Sequence, residues 1–353
     1  MEFENISSNQ QQQKCTQVNI MSYNILADCY VRVQDQPWNA FSYCEDEAIE
    51  WLKRCAKIQT KLVDSKADII CLQEMTWEMV DGLWVLPAWT ECLTGSSEYI
   101  GVMQALPQKD ITKNAERNLR SCGRRTPTGV ATFYRRSMFT EFSPATHGSG
   151  SGTTVFLRTV STIDAAAVHF IVNNVHLVGS PSKLAEQSTQ LGGVMKQLTK
   201  GFNVLGSAGD KGALTRTAFV VCGDFNSDVQ LNSMQPEVVG ADGDSLTAAA
   251  SLSAPSVVFG EQGFSRAPTG TSYYNNTMNC RLDHIMFRAA DTQSGIEVQA
   301  GNCTPLCGKE TKPTDTITDE SSSSSSSEHA QGLPSMTEPS DHLSVRTTLT
   351  VTP

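Results

Sequence analysis

Residues 218–228 read AFVVCGDFNSD. Four apolar residues lead through Cys222 and Gly223 into Asp224, Phe225 and Asn226, with Asp228 just beyond. An apolar run of this length reads as a buried strand. Its polar end is harder to place, because Asp and Asn are depleted in strands and a buried carboxylate without partners is costly. A metal ion or a phosphate would offset that cost. Asp224 and Asn226 are two apart, so on an extended strand they point to one face.

The same signature recurs along the chain. Strands are expected at 18–26 (VNIMSYNIL), 68–75 (DIICLQEM), 129–135 (GVATFYR), 168–177 (VHFIVNNVHL), 218–226, 282–288 (LDHIMFR) and 344–351 (SVRTTLTV). Most of them end, begin or break at a side chain that can meet a metal or a phosphate. These are Asn24, Glu74, His176, Asp224 with Asn226, Asp283, and the pair Asp341 and His342 before the last strand. Each alone reads as a turn former, a surface group or a helix cap. Strand ends in packed sheets lie side by side, however, so together these groups converge on one cleft. Glu74, Asp224 and Asn226 offer oxygen ligands, which suits Mg²⁺ or Mn²⁺ better than zinc.

Two helices are expected. One covers 46–66, with Leu52, Cys55, Ala56, Leu62 and Val63 on a single face, and the other covers 183–200 after Pro181. Many strands, few helices and no βαβ rhythm imply an α/β fold of two sheets packed face to face with helices outside. The 353 residues are 39% hydrophobic and 18% charged, enough for a sizeable core. At a net charge of −10 the whole molecule does not attract nucleic acid, so a polyanion would need a local basic patch. The stretch 108–125, QKDITKNAERNLRSCGRR, is such a patch. It sets Lys109, Lys113, Arg117, Arg120, Arg124 and Arg125 against Asp110 and Glu116. It reads as a loop that is either solvated or tracks substrate phosphates toward the strand at Gly129.

Eleven scattered cysteines with no Cys-x-x-Cys pair read as reduced thiols rather than a zinc site. The opening MEFENISSNQQQQK has no apolar core of a secretory signal, and no apolar run nears the roughly 20 residues of a membrane span. The expectation is a soluble monomer of the cytoplasm or nucleus, not secreted and with no membrane partner. Residues 1–15 read as a flexible polar tail and 16–353 as one domain. Within it, about 308–333 is expected to be a disordered loop with seven consecutive serines at 321–327.

Taken in order, Asn24, Gln73-Glu74, His176-Leu177, Gly223-Asp224-Phe225-Asn226, Leu282-Asp283-His284 and Ser340-Asp341-His342 resemble the endonuclease/exonuclease/phosphatase superfamily. MSYNILAD and PSDHLSV are most similar to the carbon-catabolite-repressor-type deadenylases with their nocturnin and angel relatives. The resemblance covers about residues 18–351. It implies a DNase I-like four-layer α-β-β-α sandwich and Mg²⁺-dependent phosphodiester hydrolysis, with Mn²⁺ as the other metal. In its terms Glu74 holds the metal with Asn24 and Asp341, and Asp224 activates water. Asn226 and His176 hold the phosphoryl oxygens, Asp283 orients His342, and Pro181 lies on the substrate. The substrate it implies is single-stranded RNA, poly(A) or another 3′ end; on the functional reading of the basic stretch, Arg117, Arg120, Arg124 and Arg125 would then follow that backbone. The rival readings are a phosphatase or phosphodiesterase on a nucleotide 2′-phosphate, inositol phosphate or sphingolipid, and a non-catalytic RNA-binding module. Thr128 stands where the family has an Asp, and Met278 where it has a base-stacking aromatic; both departures bear on base selectivity and leave the hydrolytic set intact.

Overall fold

Strands β1 (Thr16–Asn24), β2 (Ile69–Thr76), β3 (Tyr99–Met103) and β4 (Thr128–Arg135) begin one sheet. The next six build another: β5 (Phe139–His147), β6 (Gly152–Thr159), β7 (His169–His176), β8 (Thr217–Asp224), β9 (Ser265–Arg266) and β10 (Asp283–Ala289). The chain then returns to the first sheet with β11 (Glu297–Ala300) and β12 (Val345–Thr352). This computed structural model describes residues 15–31, 41–104, 106–147, 152–160, 167–179, 183–207, 211–229, 254–269, 272–274, 279–290, 296–301, 304–305 and 333–352. Pro181, Met278, residues 1–14 and the Ser-rich stretch up to 332 lie outside the described residues.

The sheets share a plan. The first runs β11-β12-β1-β2-β4-β3 and the second β9-β10-β8-β7-β6-β5. At the centre of each lies one parallel pair, β1 with β2 and β7 with β8, flanked by antiparallel neighbours. Parallel strands end at the same edge. Antiparallel neighbours begin there, so both sheets deliver chain ends to one rim.

Side-chain alternation builds the layers. Val18 and Ile20 of β1, Phe170 and Val172 of β7, and Val220 and Cys222 of β8 meet between the sheets. Met21 and Tyr23, one step out of phase, face Ile58 and Leu62 of α1 (Trp51–Ser65) and Ile111 and Ala115 of α2 (Gln108–Cys122). On the far side Ile171, Val175 and Val221 pack against Leu191, Val194 and Leu198 of α3 (Leu184–Ser207) and Phe259 of α4 (Ala254–Glu261). The order is helix, sheet, sheet, helix, the expected α/β sandwich.

Several local expectations are corrected. The 46–66 helix is broken at Glu50, whose ψ of 124° is extended, so it divides into Asp46–Ile49 and α1. Its buried face is Arg54, Cys55, Ile58 and Leu62, while Leu52, Ala56 and Val63 are exposed. The basic stretch is a helix, α2, rather than a loop. Ile111, Ala115, Asn118 and Cys122 bury a thin stripe at i, i+4, i+7 and i+11, and Gly123 ends it at φ 69°. The stripe is easily lost among charged neighbours. Strands β3, β5, β6, β9 and β11 went unforeseen; β5 carries a proline and two breaks in its pairing with β6. Nine described cysteines are free thiols, and among the described residues no helix is long and apolar enough to cross a membrane.

Candidate active site

The shared rim gathers the strand-end side chains. Asn24 ends β1 opposite Gln73, and Asp224 ends β8 with His176 on one side and Asp283 on the other. Just below, Gln73 and Asn174 bridge the sheets at 2.8 Å, and the Asn174 amide also donates to the Leu72 and Ala131 carbonyls. This buried link fixes the spacing of the two halves.

Glu74 reaches the site through a backbone irregularity. Leu72 and Met75 both pack on the outer face, three residues apart, which strict alternation forbids. A bulge between them absorbs the extra residue, with Glu74 in the left-handed region at φ 56°. The carboxylate is thereby turned away from the helices. Its two oxygens accept from the Asn24 Nδ2 at 3.0 Å and the Ala27 N–H at 2.9 Å. A non-glycine residue held there against steric preference is a mark of functional geometry.

Asp224 is buried at the centre. Its Oδ2 accepts from Asn24 Nδ2 at 3.0 Å and lies 3.6 Å from His176 Nε2 and 3.7 Å from His342 Nε2. Its Oδ1 accepts from the Asn226 N–H at 2.8 Å, which turns the chain; the strand therefore stops at Asp224, two residues before its expected end. Asn226, at φ 49°, donates its amide to the Leu177 carbonyl at 2.9 Å. The preceding Gly223 has φ 147°, and a Cβ there would sit 1.9 Å from the Val175 carbonyl oxygen. Gly223→Ala is expected to destabilise the fold by about 3 kcal/mol, read as a lower urea midpoint. An unchanged midpoint would show that β7 and β8 can separate there.

His342 completes the cluster. Its Nδ1 meets Asp283 Oδ2 at 2.8 Å, both residues being buried. Burial works against a charged ring, but Asp283 and Asp224 outweigh it and hold the His342 pKa well above the usual range. Asp341 lies beside it. Burial, with the Glu74 charge adding and His342 opposing, pushes its carboxyl up to about 6. Tyr273, which the sequence reading did not single out, sets its ring 4.9 Å from His342. Ligand atoms of Asp224, Asp283 and His342 lie within 4.8 Å of one another, a spacing that fits a metal ion.

The arginines divide. Arg124 pairs with Asp28, next to the Ala27 that caps Glu74, and Arg125 pairs with Glu116 at 2.6 Å. Arg117 and Arg120 lie exposed on α2. Thr128 sits 2.9 Å from the Tyr30 hydroxyl. The expected site residues Asn24, Glu74, His176, Asp224, Asn226, Asp283, Asp341 and His342 therefore share one rim, whereas among the described residues no hydrogen bond or ion pair ties the four arginines to them.

Comparison with known proteins agrees with this geometry. Ccr4 of Debaryomyces hansenii, the 3′-5′-exoribonuclease subunit of the CCR4-Not complex, is 22% identical over 230 residues, 59% of this chain and 25% of its own. The 2′,5′-phosphodiesterase 12 of Bos taurus is 31% identical over 126 residues, 36% of this chain and 17% of its own. The chain thus spans a quarter or less of these curated relatives. Among solved structures, the 2′,3′-cyclic phosphatase ANGEL2 in complex with adenosine-2′,3′-vanadate aligns at a TM-score of 0.59 and 17% identity, over 95% of this chain and 96% of that one. The human Nocturnin catalytic domain aligns at 0.51 and 16%, over 95% of each. At such identities the likeness shows the DNase I-like fold alone. The model of the Endonuclease/Exonuclease/phosphatase family, however, matches residues 21–342, from β1 through the last site histidine, and the chain belongs to that family.

Proposed function

We propose that this phosphoesterase is a Mg²⁺-dependent hydrolase of RNA 3′ ends, a 3′-5′ exoribonuclease that releases nucleoside 5′-monophosphates. The observation that carries the hydrolytic chemistry is Asp224, fixed between Asn24 and two imidazoles. A nucleotide substrate draws support from Tyr273, a partly buried aromatic beside His342 on which a base would stack. Relatives named as an exoribonuclease and a 2′,5′-phosphodiesterase support it as well.

The donor set fits a hard cation. Glu74, Asp224, Asp283 and Asp341 crowd one rim, and the upward shift of Asp341 reflects burial without enough positive charge. Both His342 nitrogens face carboxylates, Nδ1 that of Asp283 and Nε2 that of Asp224, so the ring is already engaged. Glu74, with Asn24 and Asp341, would therefore hold the ion. Bound there, Mg²⁺ or Mn²⁺ supplies Lewis acidity to the scissile phosphate and steadies the leaving oxygen. The chain's own groups perform the proton work. Asp224 aligns the attacking water and takes its proton. The His342 Nε2–H, with Asp283 behind it, donates to a phosphoryl oxygen as charge builds; His176 faces the same Asp224 oxygen, and Asn226 stands on the turn that Asp224 holds.

The test is hydrolysis with Mg²⁺ of 5′-labelled A₂₀, a mixed RNA, abasic duplex DNA and nucleotide 2′-phosphates. A ladder of shortened labelled RNA with released 5′-monophosphates is expected. Cleavage of the 2′-phosphates alone would favour the second reading, a small-ester phosphatase. That reading draws on the internal pairing of Arg124 and Arg125, which leaves fewer cations for an RNA backbone. Salt dependence separates the two. Each phosphate contact contributes about 0.7 to the slope of log K against log salt for a single strand. Arg117→Gln with Arg120→Gln is expected to flatten the slope for a 20-mer by about 1.4 and to leave mononucleotide hydrolysis unchanged. Equal losses on both substrates would count against an RNA track.

A further inference from the structure

Arg54 lies wholly inside the protein, on α1, with no exposed surface. Such a cation needs strong partners. Its hydrogen bonds all go to backbone carbonyls, and these belong to two separate segments. Nε donates to the Pro339 carbonyl at 2.6 Å. Nη2 donates to the Ile25 carbonyl at 2.8 Å and also to that of Leu26. Nη1 is buried without a hydrogen-bond partner among the described residues.

Both segments carry the site. In the 25–27 turn, the Leu26 N–H holds Asn24 Oδ1 at 3.0 Å and the Ala27 N–H holds Glu74 Oε2. Pro339 immediately precedes Ser340, Asp341 and His342. A second link joins the same segments, from the Ser340 hydroxyl to the Asn24 carbonyl at 2.7 Å. Elsewhere on α1, Lys57 grips the Met336 carbonyl and Lys61 pairs with Glu338. Those two anchor the C-terminal segment farther from its catalytic end.

We propose that Arg54 is a positioning residue: its planar guanidinium ties the turn that orients Asn24 and Glu74 to the segment that carries Asp341 and His342. It thereby sets the distance of Asp341 and His342 from Asn24 and Glu74. A lysine, with one nitrogen on a flexible stem, cannot span the same three carbonyls. The inference rests on the hydrolase reading above, but it is testable apart from it.

The experiment uses full-length wild type with Arg54→Lys, Ser340→Ala and Lys57→Met. Mn²⁺ affinity is read by electron paramagnetic resonance, kcat and KM by RNA hydrolysis, and folding by melting temperature. Arg54→Lys is expected to weaken Mn²⁺ binding about 10-fold, in the range seen when groups behind a metal ligand are lost. It is also expected to lower kcat by about 30-fold with KM within 3-fold, the mark of an interaction realised in the transition state. Ser340→Ala is expected to move Mn²⁺ affinity and kcat the same way by a smaller factor. Lys57→Met should leave both near wild type. The proposal is overturned if Arg54→Lys lowers melting temperature alone, or if Lys57→Met matches it. Should Arg54→Lys fail to fold, unchanged Mn²⁺ affinity and kcat in Ser340→Ala overturn it instead. A wild type that binds Mn²⁺ and cleaves no phosphoester refutes the hydrolase reading, and the Mn²⁺ comparison then decides the role of Arg54 by itself. A wild type that binds no Mn²⁺ overturns the positioning role as well.

Discussion

Asp224→Asn is expected to lower kcat by about 10²- to 10⁴-fold with little change in KM. Two effects act together. The substitution removes the group placed to take the proton of the attacking water. It also leaves an amide that cannot serve both of its donors. Oδ2 accepts from Asn24 Nδ2 and Oδ1 from the Asn226 N–H, so whichever way the amide turns, its NH₂ faces another donor. One of these hydrogen bonds is lost, and either Asn24 or the turn at Asn226 loosens. The substitution reaches His342 as well, because Asp224 is, after Asp283, one of the carboxylates that raise the pKa of that ring. The upper pKa of the rate profile, where the histidine loses its proton, should therefore move down in the variant. Steady-state kinetics across pH checks both points. A variant that keeps kcat but loses substrate affinity would make Asp224 a positioning group and leave the base unassigned.

The legible part of this site is its list of residues, and physics explains why. Asp224 and His176 end apolar strands, where a polar residue conflicts with burial, and that conflict is visible in sequence. Aspartate at the start of LDHIMFR conflicts in the same way. Glu74 was readable as a site residue, yet its route there was not. The bulge shows only in the three-residue interval between Leu72 and Met75, both buried on one face. Asn226 was assigned to an extended strand because nothing in GDFNSD announces a left-handed residue. The deciding bond runs from its own N–H to a side chain two residues back. Arg54 was hidden for a different reason. Arginine in a helix reads as solvent-facing, and its partners are the carbonyls of segments up to 285 residues away. Contacts between backbone atoms and a distant side chain leave no trace in residue type. The helix under the basic stretch was missed because its charges dominate a narrow apolar stripe.

The duplicated sheet plan explains why the set converges. Each sheet contributes a parallel pair whose ends meet at the rim. Asn24 and Glu74 come from one and His176 and Asp224 from the other. In the proposed mechanism the groups that would hold the cation stand mainly on the first sheet and those that would handle protons on the second. Asp341 and His342 enter from the strand that returns to the first sheet, yet His342 bonds to Asp283 of the second. A substitution on either sheet should therefore disable a different part of the reaction.

Glu74→Gln tests the other half of that division. The variant is expected to bind Mg²⁺ or Mn²⁺ at least about 10- to 100-fold more weakly and to lose most activity at limiting metal. Like Asp224, Glu74 uses both oxygens, toward Asn24 Nδ2 and the Ala27 N–H, so an amide again sets a donor against a donor. The signature differs, however. Because Glu74 acts through the ion, raising the metal concentration should restore much of the rate, whereas Asp224→Asn should not respond. Stability supplies a second readout. A ligand that binds the folded state alone raises melting temperature with its concentration, so wild type should gain with added Mg²⁺ and the variant should gain much less. Without metal the order reverses. The Glu74 charge is one of the causes that raise the Asp341 pKa, and neutralising it relieves the repulsion between these two carboxylates, so metal-free Glu74→Gln should melt no lower than wild type. Unchanged Mg²⁺ dependence in the variant would remove Glu74 from the ion. The cluster of Asp224, Asp283 and His342 would then be the place to look for it.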